Sequence, residues 1–330
     1  MIRIIGSYLK LMMRSIVINP YYGTDLLTFF RVLFFRVISG GIFHKPLYID
    51  ELQIIIFSGL ALSGALVGTF LTLKKMTMFA NAVSHTVLLG LCVAFFFVSG
   101  LDLTITSLML TALSTAVLTG VLVRLLVDYF KIQIDTGIAF IFCFLFALGL
   151  VVLVFLTGNV HIGIDLIMGN SDVLIFEDLI HVWMAFLLNV LILATCFRGF
   201  LVISFDPSFA RLSGFPLKFF EHLIMFQISL NLIVSFKATG VLMALSFLIM
   251  PQLIVKPFIK SVRQMIVASA CLGLMTAFLS PAVSRYFLTW SGTGLSTAGL
   301  TVIIFFFFYV CSLLFCSFQR KKIRGIESSY

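Results

Sequence analysis

The 330-residue chain is 61% hydrophobic and only 11% charged, with a mean hydropathy of +1.19 and a formal net charge of +9. A domain folded in water carries charge on about a quarter of its residues. This balance therefore excludes a soluble enzyme, and the expected fold class is an all-α, polytopic integral membrane helical bundle.

Residues 1–50 are read as an N-terminal segment and residues 51–330 as a single transmembrane domain. Within the first, Leu26 to Phe43 is apolar but interrupted by Arg31 and Arg36. That pattern fits an amphipathic helix lying in the interface, or a tenth, poor crossing. The stretch lacks the basic, apolar and small-residue order of a cleavable signal peptide. Runs long and apolar enough to cross a bilayer fall at 53–73, 77–99, 103–127, 137–157, 179–197, 219–236, 238–255, 264–288 and 296–317. About nine crossings follow. The links Ser99 to Asp102 and Phe236 to Gly240 are so short that the helices they join must be antiparallel neighbours. Asp135 is placed to cap the fourth crossing, and Pro251 to kink the seventh.

Lys and Arg alternate between the two sets of loops, and the excess marks the cytoplasmic side. One set holds Lys74, Lys75, Arg124, Lys131, Arg198, Arg211, Lys218, Lys256, Lys260, Arg263, Arg320, Lys321, Lys322 and Arg324, whereas the other holds Lys237 and Arg285. The C-terminus is then cytoplasmic, and the net positive charge is an orientation and lipid-headgroup signal that gives no case for nucleic acid as a partner. An odd number of crossings places residues 1–50 outside although they contain Arg3, Lys10, Arg14, Arg31, Arg36 and Lys45, which breaks the rule. The outer loop from Gly158 to Asp178 carries Asp165, Asp172, Glu177 and Asp178 without a basic residue. It is read as an acidic outer surface, either merely solvated or a dock for an external partner or a field for cations.

Six cysteines, Cys92, Cys143, Cys196, Cys271, Cys311 and Cys316, lie in apolar runs without metal-site spacing and are read as small buried hydrophobes. In the first crossing, Gly64 and Gly68 have the small-xxx-small spacing that lets helix backbones approach closely in lipid. The run after it, LKKMTMFANAVSHTVLLG (residues 73–90), sets a basic pair at the inner interface and His85 ten residues beyond Lys75, roughly 15 Å deep. Asn81 lies one turn before His85, so both fall on one helix face. Neutral imidazole is a good ligand for Mn, Fe or Zn, and interhelical hydrogen bonding is an equally open use of such a pair.

The run ALVGTFLTLKKMTMFANAVSHTVLLG resembles the signature of the permease (membrane) subunits of zinc, manganese and iron ABC importers. There a glycine-rich helix, a basic pair, Met and a Gly-Asp-Ala-x-Ser-His motif follow in order. The resemblance implies a metal pathway through His85. Ala80 and Asn81 stand where Gly and Asp are usual, so Asn81 offers a neutral carbonyl oxygen in place of a carboxylate.

Between the fifth and sixth crossings, SFDPSFARLSGFP (residues 204–216) reads as a short capped helix. Asp206 is at the N-cap, Pro207 at the first position, Gly214 at a left-handed stop, and Phe209 and Leu212 point the same way. The spacing of Asp206, Ala210 and Gly214 resembles the family's ATPase-coupling helix. Further similarity appears at IDTGIAF, GNSDVLIFEDL, KATGVLMALSFLIMPQLIV and WSGTGLSTAG, so that it spans about residues 53–317.

The chain contains no phosphate-cradling GxxxxGK[ST] loop, and the expectation is a transport subunit that is not itself an enzyme. The resemblance implies three partners besides membrane lipid: a cytoplasmic ABC ATPase, a second permease chain, identical or related, and an extracytoplasmic metal-binding protein. It implies a multi-pass protein of the bacterial cytoplasmic (inner) membrane, with a divalent Mn, Zn or Fe ion as cargo and no permanently bound cofactor. The competing reading is an ATP-independent secondary transporter or channel for divalent cations, which shares the buried polar stripe but needs no ATPase dock.

Overall fold

A computed structural model describes residues 20–39, 47–98, 105–157 and 171–327 of the protein. Arg3, Lys10, Arg14, Lys45 and Asp165, and the link from Ser99 to Asp102, lie outside the described residues. Among the described residues there is no strand, and there are eleven helices. They are α1 (Leu26–Ile38), α2 (Ile49–Leu73), α3 (Thr77–Val98), α4 (Ile105–Phe130), α5 (Ile134–Thr157), α6 (Phe176–Phe205), α7 (Pro207–Leu212), α8 (Leu217–Thr239), α9 (Val241–Val255), α10 (Val262–Ser291) and α11 (Thr297–Glu327). The nine expected crossings reappear as α2–α6 and α8–α11.

Among the described residues seven helices, α2, α4, α5, α6, α8, α10 and α11, are long and apolar enough to span a membrane. One expected crossing is corrected. Gly240, at φ 85°, ends α8 and begins α9, which runs for only 15 residues. At about 1.5 Å per residue α9 reaches roughly 22 Å, short of a hydrocarbon core about 30 Å thick.

Contacts at helix ends fix the direction of each helix. Asn189 donates to Ser63 at 2.9 Å and Gln53 to the Ser171 carbonyl at 2.9 Å, so α2 and α6 run in parallel. Gln227 reaches the Asn189 carbonyl at 3.3 Å while Lys237 pairs with Asp178 at 3.0 Å, so α8 runs against α6. Ser312 donates to Ile254 near one end of α9 and Thr301 lies against Met243 near the other, which sets α9 parallel to α11. α8 and α9 are thus antiparallel, as the short link demanded.

The centre of the bundle is α2, most of whose residues are buried. Its glycine face meets α9 backbone to backbone. A Cβ at Gly64 would lie 2.6 Å from the Phe247 carbonyl oxygen, and one at Gly68 only 2.0 Å from that of Leu248. Phe247 is four residues before Pro251, so its carbonyl is the one that proline leaves without a helical donor. Gln252 secures the same contact by donating to the Gly64 carbonyl at 2.8 Å.

At the bundle end opposite the lysine-rich turns, the stray cations are neutralised within the protein. Lys237 has Asp178, and the Arg285 Nε lies 2.9 Å from Asp50. Arg36 of α1 pairs with the fully buried Glu51 and lies over the Tyr48 ring at 4.6 Å. Tyr21 also donates to Glu51, at 3.0 Å. Burial, reinforced by the Glu51 charge, raises the Tyr21 hydroxyl far above its ordinary pKa and keeps it a donor. α1 is clamped further by Phe29 and Leu33, which pack with Tyr21, Ile54 and Ala282. Its 13 residues reach roughly 20 Å.

Two other expectations change. Among the described residues of the stretch before α6 the acids are less open than the sequence implied: Asp178 is buried, paired with Lys237 and bonded to the Ile175 amide at 3.1 Å, and Asp172 accepts from the Thr297 hydroxyl, while Glu177 is exposed. Of the cysteines only Cys92 is buried, while Cys143, Cys271 and Cys311 are exposed on the bundle's outer face. Helices apolar on every side do not reveal which side meets lipid. Asp135 lies in the first turn of α5, where its charge complements the helix dipole.

Overpacking a tight backbone contact costs about 1–3 kcal/mol or more. Gly68→Val is therefore expected to lower the unfolding temperature of the detergent-solubilised protein by several degrees. Gly299→Ala, where nothing lies within 4 Å of the new methyl, serves as the neutral control.

Candidate functional site

The turn that launches α3 is built by the end of α2. Lys74 is the C-cap, Lys75 adopts φ 57°, the Lys75 amide bonds to Thr72 and the Met76 amide to Leu71 at 3.0 Å. This is a Schellman closure with lysine in the left-handed position that glycine usually takes. It lets the chain turn within three residues and delivers α3 to its packing partners α4 and α5.

On α3, Ala80, Ala82, Val83 and Ser84 are buried, whereas Met78 and Asn81 are exposed and His85 is half-buried. The spacing of 78, 81 and 85 puts them on one stripe, and it faces away from the bundle core. The His85 ring is flanked by Phe142 and Phe146 of α5, at centroid distances of 5.4 and 5.5 Å. Asn81 and His85 thus share a face, as expected, and that face is an outer flank of this chain. Among the described residues no three His, Cys, Asp or Glu side chains come together in a metal-sized cluster.

The segment after α6 forms the short helix α7. The Asp206 carboxylate accepts from the Ser208 and Phe209 amides at 3.0 and 2.9 Å, and Pro207 takes the first turn. Gly214, at φ 74°, closes the other end, with the Phe215 amide bonded to Ala210 and the Gly214 amide to Arg211. Ala210 is buried against Ile203 and Leu217 and seats the helix on α6 and α8. Phe209 and Leu212 stand out, 56% and 88% exposed. So short a helix has no stability of its own; its two caps and the Ala210 contact hold it.

Sequence reasoning missed Glu221, a carboxylate one turn into α8 that reaches both Lys74 and Arg124. The signal was present, since an acid at a helix end flanked by loops rich in lysine and arginine has cations to meet wherever the fold brings them.

Residues 52–316 match the model of a family described as the ABC 3 transport family. The chain is 46% identical over 310 residues to a probable metal transport system membrane protein of Chlamydia pneumoniae, covering 94% of this chain and 96% of the relative. It is 33% identical over 249 residues to the manganese transport system membrane protein MntD of Bacillus subtilis, covering 72% and 82% respectively. Its fold is similar to that of PsaBC from Streptococcus pneumoniae in complex with Fab, with a TM-score of 0.66 and 21% identity over 83% of this chain and 93% of that one.

Losing an N-cap carboxylate costs about 1 kcal/mol. Asp206→Ala is expected to speed amide hydrogen exchange at Ser208 to Leu212 about fivefold, and Asp206→Asn to keep it near the original rate.

Proposed function

The chain belongs to the ABC 3 transport family, and from that premise we propose that it is the membrane-spanning permease subunit of an ABC importer carrying a divalent transition metal, Mn, Fe or Zn, across the bacterial cytoplasmic membrane. The observation that carries the reading is the outward-facing Asn81 and His85 stripe on α3. A nitrogen ligand facing lipid would be wasted, whereas against a second permease chain, identical or related, it faces a shared path. Neutral His85 offers a ring nitrogen to the cation and Asn81 a carbonyl oxygen, and the facing chain supplies further ligands. The MntD relative supports manganese among the candidate cargoes.

On this reading the lysine-rich turns, α7 and the C-terminus face the cytoplasm. Phe209 and Leu212 are the side chains that enter the ATPase subunit, with Asp206, Ala210 and Gly214 holding their helix rigid. A metal-binding protein docks at the opposite face and releases a bare cation into the path. Alternating access follows when nucleotide-driven closure of the ATPases rocks the two permease chains against each other. α1 lies in the outer interface, its Arg36 satisfied by Glu51. The exposed apolar tip of α7 favours an ATPase-linked importer over an ATP-independent transporter, which has no use for it.

His85→Ala is expected to lower ATP-dependent Mn²⁺ uptake into reconstituted vesicles about tenfold or more, with the ATPase still bound. Undiminished uptake removes His85 from the path. Replacing Phe209 and Leu212 together with serine is expected to strip the ATPase from the purified complex. Uptake that persists after that loss favours the ATP-independent alternative.

A further inference from the structure

We infer that Glu221 is an ionic latch that passes movement of α7 to the His85 helix, a positioning role that rests on reading α7 as the contact with an ATPase. Helices distant in sequence meet at this one carboxylate. It lies 3.5 Å from the Lys74 ammonium at the α2–α3 turn and also pairs with the Arg124 guanidinium of α4. Arg124 is 3.7 Å from Asp128 one turn further along α4, and Asp128 is 3.3 Å from Lys218, back on α8. The charges alternate in sign from Lys74 to Lys218.

Three of these side chains are largely withdrawn from water: Lys74 is 8% exposed, and Glu221 and Arg124 are each 13%. Burial lowers the Lys74 pKa while Glu221 opposes the shift, so the ammonium depends on that carboxylate. Such a cluster is a poor device for stability, because desolvating the ions offsets most of their attraction and apolar residues would serve as well. What it fixes is the relative position of three helices.

Its place in the chain gives that fixing a use. α7 is seated through Ala210 on Leu217, and Glu221 is one helical turn beyond Leu217 on the same side of α8. A push on α7 therefore reaches Glu221 through one rigid turn. On the far side, Lys74 is the C-cap of α2 and begins the turn that starts α3. From Lys74 to His85 is about three turns along the chain. A carboxylate shared by two cations on separate helices also has discrete alternatives, holding both or releasing one, which suits an element that switches between two arrangements.

The test uses the full complex of permease, ATPase and binding protein in vesicles, with Mn²⁺ as the probe and both uptake and ATP hydrolysis recorded. Glu221→Gln is expected to leave hydrolysis within about twofold and to lower metal taken up per ATP about tenfold, with Glu221→Asp recovering most of it. Lys74→Met, which leaves Glu221 its Arg124 partner, is expected to uncouple in the same direction and keeps the question answerable if Glu221→Gln does not assemble. A wild-type ratio of uptake to hydrolysis in either variant overturns the latch. The wild-type complex provides the separate control: uptake without ATP there sinks the importer reading itself, whereas ATP-driven uptake with fully coupled variants sinks only the latch.

Discussion

The close approach of α2 to α9 sets the geometry on which the remaining helices depend. In hydrocarbon there is no hydrophobic effect to gather helices, so association relies on contact area, hydrogen bonds and shape. Gly64 and Gly68 remove the side chains that would separate the two backbones, and Gln252 ties the contact with a hydrogen bond. Pro251 frees the Phe247 carbonyl at the spot where Gly64 leaves room for it. With α9 lodged there, α6 and α10 occupy the other flanks of α2 through Asn189 with Ser63 and Arg285 with Asp50.

The polar groups inside the bundle follow from the same solvent. Each lone charge or amide at membrane depth needs a partner from a neighbouring helix, because lipid supplies none. Partnering therefore doubles as a record of topology: Lys237 with Asp178, Gln227 with Asn189 and Gln53 with Ser171 each fix a direction and a depth for the helices they join. Arg36 with Glu51 does the same for α1. A basic residue on the sparsely charged side of the protein is tolerable when a buried carboxylate faces it.

Against these interhelical pairs, the Asn81 and His85 stripe stands apart. It is polar and turned outward, with the rings of Phe142 and Phe146 beside the imidazole. α7 is its counterpart at the lysine-rich end, a helix capped by Asp206 and seated through Ala210 whose large apolar side chains, Phe209 and Leu212, face away from the protein. On the proposed reading both features meet other chains, and Glu221 with Lys74 forms an ion pair between the elements that carry them.

The sequence alone determined the class, the approximate limits of the nine apolar helices, the alternation of basic loops, the glycine seam and the capped α7. These are local properties, written in run length, charge spacing and cap residues, and a hydrocarbon solvent leaves few other structures for such runs to adopt. It did not determine that α9 stops short, that Cys143, Cys271 and Cys311 are exposed, or that Asp172 and Asp178 are spent inside the protein. Nor did it reveal Glu221, or which side of α3 carries Asn81 and His85. Only the tertiary structure decided those, because a helix that is apolar all round has no intrinsic inner face, and a charge's partner is chosen by which helix end the fold brings beside it.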